Sequence, residues 1–307
     1  MQEESAAFNS VYGSRIILIP IRSTKTSDGT ENSVVINSGT QDPAPWLEGR
    51  PRTETVQQTV DPLTQINPEI ALQIENIAKA SFGDIFLSDS QRHIEKLQET
   101  ALSSNEFPIC YLTLTMLVSK RNPQQFRSIK DVLDENRKLG IVDPSLDGLG
   151  EASWTVLGKI VPGGESAIPM ELVQLYERQY DLLEALELKK IDAALVWDAT
   201  SQNNFLLIKY ADEYNAEYEQ DLREAARSRQ SDDYRLALIK LRDILVEEKN
   251  FAEEVPLTVN AKERHVVAVQ LVVLGSTSHY GYSKRFIDFM RSHQGKNILW
   301  RFGFVAR

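Results

Sequence analysis

Between Asp84 and Trp197 the chain alternates short apolar runs with segments of helical spacing, and nothing else in the sequence limits the fold as strongly. Asp84-Ile-Phe-Leu87 reads as a strand and Ser90 to Gln98 as a helix. Ile109 to Val118 is a long strand rich in β-branched residues. Ile129 to Asn136 is a helix, Leu139 to Val142 a strand and Gly150 to Leu157 a helix. Leu172, Leu175, Tyr176, Gln179, Leu183 and Leu186 recur at helical spacing, which predicts one long amphipathic helix from Pro169 to Lys189. It leads into the apolar strand Ala193-Ala-Leu-Val-Trp197. Short buried strands alternating with helices predict an α/β fold with a mainly parallel sheet covered on both faces.

The flanks read differently. Upstream, Ile16 to Ile21, Ser33 to Asn37 and Thr55 to Val60 are strand candidates separated by loop. Asn67-Pro68-Glu69 is a helix start, with Asn as N-cap and Pro in the first turn, and Ile70, Ile74 and Ile77 form its buried face. Downstream, residues 210–251 carry two helical faces around the turn Ser228-Arg-Gln-Ser231, which predicts a charged helical insertion. Its charges read as a solvated face, against a partner-docking surface. His265 to Leu274 is a strand or strand pair, and Tyr282 to Arg291 and Gly295 to Arg301 are short helices.

Composition narrows the function. At 307 residues the chain fits two domains or one two-lobed unit. The net charge of −10 gives no electrostatic footprint for general nucleic-acid binding. No run reaches the ~18 apolar residues of a membrane span. The acidic, polar start Met1-Gln-Glu-Glu-Ser-Ala6 shows no signal peptide. The single Cys110 sits in an apolar run and reads as a small buried hydrophobe. His93, His265, His279 and His293 have no metal-ligand spacing, and His93, beside Arg92 and Glu95, reads as surface. No phosphate loop, dinucleotide glycine fingerprint or nucleophile elbow occurs, so no catalytic set assembles. The rival reading is a hydrolase or transferase with His279 or Asp198 as base. No metal or cofactor is expected.

Two strand-to-helix turns suit an anion. Asp143-Pro-Ser-Leu-Asp-Gly-Leu-Gly150 has glycines for close approach and a helix N-terminus with free N–H groups. Trp197-Asp-Ala-Thr-Ser201 follows a buried strand, and ligands in α/β sheets gather at the carboxyl ends of strands. Trp197 has a competing reading as core packing.

These residues carry a resemblance. Asp84-Ile-Phe-Leu-Ser-Asp-Ser-Gln-Arg-His-Ile-Glu-Lys-Leu97 resembles the segment "ADVFISAD…MDKL" of periplasmic molybdate-binding proteins, type II substrate-binding components of ABC importers. Leu117-Val-Ser-Lys-Arg-Asn-Pro123 is similar to the family's crossing strand and "K-x-N-P" turn. Asp143-Pro144 with Gly150 is similar to "DP…P-A-G", and Asp192 to Ala199 to "AGIVY-x-SDA". Phe286 to Phe304 resembles the ending "FLDFLLSPEGQAILAKYGF". The resemblance implies a two-lobed type II periplasmic-binding-protein fold with a helical insertion. Lobe I would hold residues 30–112 and 268–307, and lobe II residues 113–267, including the insertion at 210–251. It implies a ligand set of Ser38, Thr40, Leu149, Gly150, Gln179 and Trp197 around a small oxyanion such as molybdate or tungstate. Trp197 stands where the family has Tyr and keeps an N–H donor. Asn67 to Ala71 lacks the family's hydroxyl, and Glu69 lies nearby. The partner would be a membrane ABC permease, the location periplasmic or extracellular, and the protein a monomer. The alternative is an interaction or sensor module of the same fold that has lost oxyanion binding or takes another solute.

Overall fold

A computed structural model describes residues 65–79, 84–99, 103–200, 249–257, 261–274, 280–301 and 304–305. Ser38, Thr40, the three upstream strand candidates, His279 and nearly all of the expected insertion lie outside the described residues.

The described chain runs α1 (Pro68–Lys79), β1 (Ile85–Ser88), α2 (Gln91–Gln98), β2 (Ser103–Ser119), α3 (Ile129–Asp134), β3 (Leu139–Val142) and α4 (Gly148–Ile160). It continues with β4 (Val173–Tyr176), α5 (Gln179–Glu187), β5 (Ala193–Trp197), β6 (Ala252–Val255), β7 (Val266–Leu274), α6 (Tyr280–Arg291) and α7 (His293–Arg301). Strand order is β1-β7-β2-β5-β3-β4, with β6 also on β2.

The architecture is organised by β2. Its 17 residues change partners midway. Up to Thr113 it pairs with β7, ending on Thr113 opposite Val266. From Leu114, opposite Trp197, it pairs with β5, and from Met116 also with β6. The β2–β7 ladder shifts register between Ser103 and Glu106 and between Pro108 and Cys110, and the two halves of β2 pair with different strands of one sheet. Helices α1 and α2 pack on one face of the β1–β7 part through Ile70, Ile74, Ile94, Leu97, Phe86, Val272 and Leu274. The larger core runs along the second half of β2, β3 and β5 under α4 and α5, and continues to Phe286, Phe289 and Met290 of α6. Cys110 is buried within it, as its apolar run implies.

Two expectations are corrected. Among the described residues only β3–β4 and β3–β5 are parallel; β2 meets β5, β6 and β7 antiparallel, and β1 meets β7 antiparallel. The sheet is therefore mixed, because β2 runs against the direction of the strands on both sides of it. The long helix from Pro169 is in fact strand β4, a turn and the short helix α5. Val173 to Tyr176 hydrogen-bonds along the whole of β3, which outweighs the helical spacing of its side chains.

Helix starts follow local chemistry. Asn67 Oδ1 accepts from Glu69 N at 2.9 Å. Ser128 Oγ accepts from Asp131 N at 3.1 Å, and the buried Glu263 reaches across to accept from Ile129 N at 3.1 Å. These satisfy N–H groups that a helix end leaves without partners.

Candidate functional site

The carboxyl ends of β1, β3 and β5 converge. β1 runs into Asp89, and Ser90 N-caps α2. β3 runs through Asp143 to Asp147, the N-cap of α4. β5 ends at Trp197, which is almost wholly buried. The Trp197 Nε1–H donates to Asp89 Oδ2 at 2.9 Å. The backbone N–H of Gly148 also points at this carboxylate. A Cβ on Gly148 would lie 2.5 Å from the Asp89 carbonyl oxygen, so only glycine lets the turns touch. Alongside, Asn67 N donates to Ser145 O at 2.9 Å.

Two more carboxylates adjoin. Asp147 Oδ1 accepts from Gly150 N at 2.8 Å, and the Leu149 N–H faces the same group. Glu151 Oε1 accepts from Ser90 Oγ at 2.5 Å and lies 3.6 Å from Arg92 Nε. Burial disfavours the charged form of all three acids. It holds Asp89 above the usual carboxylate range despite the Trp197 and backbone donors. Burial, followed by the Asp89 charge, pushes Asp147 to about 7. Burial also raises Glu151, opposed by the Ser90 hydrogen bond and Arg92. Among the described residues no three His, Cys, Asp or Glu side chains are grouped to hold a metal ion.

The Asp147 shift has a measurable consequence. Native Asp147 keeps a proton between pH ~3.8 and ~7 that the unfolded chain releases, so its stabilising effect fades as pH rises through that window. Asp147→Asn keeps an N-cap acceptor and removes the charge. The variant is expected to match the parent near pH 4 and to exceed its stability at pH 8, by up to about 4 kcal/mol for the full shift. Urea unfolding at the two pH values checks this; a variant weaker than the parent at pH 8 would count against the charge cluster.

The structure places the expected ligand residues unevenly. Leu149, Gly150 and Trp197 come together at the two turns, but their donors already serve Asp147 and Asp89. Gln179 opens α5 rather than a long helix, and its Nε2 donates to Thr200 Oγ1 at 3.0 Å. Asp198, the base of the enzyme reading, accepts from Thr113 N and Ala199 N, both at 2.9 Å, and so ties β2 to the turn after β5. His93 is not on the surface. It packs with Ile94 and Leu97, and its Nδ1 lies 3.2 Å from Ser88 Oγ. Asp89, Ser90 and Glu151 were missed. The available signal was Ser88-Asp-Ser90 at a strand's carboxyl end, a position as favourable as the two turns singled out.

Residues 55–305 match the family model described as bacterial extracellular solute-binding protein. The chain belongs to that family. The fold is also that of solved type II periplasmic binding proteins. The periplasmic molybdate-binding protein of Azotobacter vinelandii is 17% identical with a TM-score of 0.50, covering 78% of this chain and 83% of that one. The sulfate-binding protein SubI of Mycobacterium tuberculosis is 13% identical with a TM-score of 0.52, covering 76% and 72%. A periplasmic thiamin binding protein is 12% identical with a TM-score of 0.53, covering 79% and 71%. No curated protein sequence matches the chain. Family and neighbours alike are solute-binding proteins, and no catalytic function is indicated. Among the described residues no helix is long and apolar enough to cross a membrane.

Proposed function

We propose that this solute-binding protein serves an ABC importer, takes a small oxyanion between its lobes and delivers it to a membrane permease. Lobe I comprises residues 30–112 and 268–307, and lobe II residues 113–267. Molybdate and tungstate are the solutes to try first, with sulfate as the smaller relative. One observation carries the reading: the Trp197 indole N–H and the Gly148 backbone N–H converge on a carboxylate. Neutral, fixed donors at a helix start and a strand end hold an oxyanion without a counter-charge. Closure of two lobes buries such a ligand and draws donors from both sides. On this reading the protein works as a periplasmic or extracellular monomer.

A second reading has its own support. The convergent carboxylate is the protein's own, and Leu149 and Gly150 turn their N–H groups to Asp147. That favours a two-lobed interaction or sensor module without oxyanion binding, or with a different solute. A thermal-shift series in molybdate, tungstate and sulfate separates the two. A ligand at 100 times its Kd stabilises the native state by about 2.7 kcal/mol through mass action. A dose-dependent rise in Tm is the expected result. No response to any of the three would overturn the oxyanion and favour the module.

A further inference from the structure

We propose that the Asp89 carboxylate is a tethered stand-in for the solute's anionic group: it latches the turn after β1 onto Trp197 and the start of α4, and an incoming oxyanion binds by displacing it. The choice of ligand rests on the oxyanion reading above; the latch does not.

Exclusivity follows from donor count. An indole Nε1 carries one hydrogen, which here goes to Asp89 Oδ2 at 2.9 Å. The Gly148 N–H, the first of the helix, is directed at the same carboxylate. A solute on either donor therefore needs Asp89 to leave. Space gives the same answer. With the Asp89 carbonyl 2.5 Å from where a Gly148 Cβ would stand, the turns leave no gap for an oxyanion. On the lobe division proposed above the latch also joins different lobes, since Asp89 follows β1 whereas Gly148 and Trp197 belong to the β3–β5 part. Flanking ties run along the same seam: Ser90 Oγ to Glu151 Oε1, Arg92 to Glu151, and Asn67 N to Ser145 O.

The latch is also releasable. Its carboxylate is held beside those of Asp147 and Glu151, and burial works against its charged form. Moving Asp89 into water relieves that crowding, which offsets part of the lost hydrogen bonds. An oxyanion could then inherit both donors.

The test measures lobe separation and binding independently. Cys110 is fully buried, so a label pair can be placed at the exposed positions Glu95 of α2 and Glu184 of α5 by Glu95→Cys and Glu184→Cys. Spin-label distances are compared in the parent, Asp89→Ala and Trp197→Phe, with Asp89→Asn as a milder variant should alanine fail to fold. Longer, broader distances are expected in all variants without added anion, least in Asp89→Asn. Calorimetry with molybdate is expected to show at least tenfold tighter binding in Asp89→Ala than in the parent. Unchanged distances in Asp89→Ala and Trp197→Phe overturn the latch, whatever molybdate does. Longer distances with no molybdate binding in any variant support the latch and defeat the oxyanion reading instead.

Discussion

Leu114→Ala is expected to lower unfolding free energy by about 3–4 kcal/mol, within the range for buried leucine truncation. Leu114 has no exposed surface and lies where β2 changes partners. Its N–H donates to His265 O at 2.9 Å, on the β7 side, and its register partner across β5 is Trp197. The side chain belongs to the larger core, and neighbours fixed by two ladders cannot collapse into the void. For a chain of this size the loss corresponds to a fall in Tm of about 10 °C. Leu175→Ala is the control, because Leu175 lies 40% exposed on the edge strand β4 and should cost under ~0.5 kcal/mol. Urea unfolding of the two variants checks the contrast. Equal losses would mean that the junction is not the centre of the core.

What the sequence discloses depends on how local its cause is. The start of α1 is legible because Asn67 caps N–H groups two and three residues ahead. β3 and β5 are legible because every residue in both is buried, so each reads as an uninterrupted apolar run. Strand direction is not legible in this way. The antiparallel crossings of β2 come from partners up to 171 residues apart, as between Ser103 and Leu274, and 133 apart even between Ser119 and Ala252. β4 was hidden by its place at the edge of the sheet: Leu175 points outward, so burial does not alternate, and the apolar spacing runs on into α5 as though one helix spanned both. At the site, the anion-type turns were legible from glycines and a strand end. Their true occupant was not, because Asp89 meets Gly148 and Trp197 only through the packing of distant segments. His93 was misread for a related reason. Its charged neighbours Arg92 and Glu95 suggest surface, but Ser90, His93, Ile94 and Leu97 fall on one buried helix face.

His93 sets up the second large effect. Burial, and then the charge of Arg92, lower its pKa to about 4, and the backbone of Leu146 only partly opposes them. Its Nδ1 faces Ser88 Oγ, and its buried Nε2 has no hydrogen-bond partner among the described residues. In the unfolded chain the imidazole titrates near 6.5. Between pH ~6.5 and ~4 the unfolded state therefore binds a proton that the native state refuses, and stability falls as pH drops through this window. The shift corresponds to about 3 kcal/mol. The raised carboxyls of Asp89, Asp147 and Glu151 act in the opposite sense over an overlapping range, so the parent's own profile mixes the two. A difference measurement isolates the histidine. His93→Leu removes the titrating ring and keeps an apolar side chain on the buried face, with Ser88 Oγ still accepting from Ser90 N at 3.0 Å. Whatever its stability at pH 7, the variant should gain about 3 kcal/mol relative to the parent on going to pH 4. Above pH 7 the two profiles should run parallel, since the ring is neutral in both states there. Parallel profiles across the whole range would mean that His93 takes up its proton in the native protein as readily as in the unfolded chain, and that the seam between α2 and the Leu146 loop is open to water.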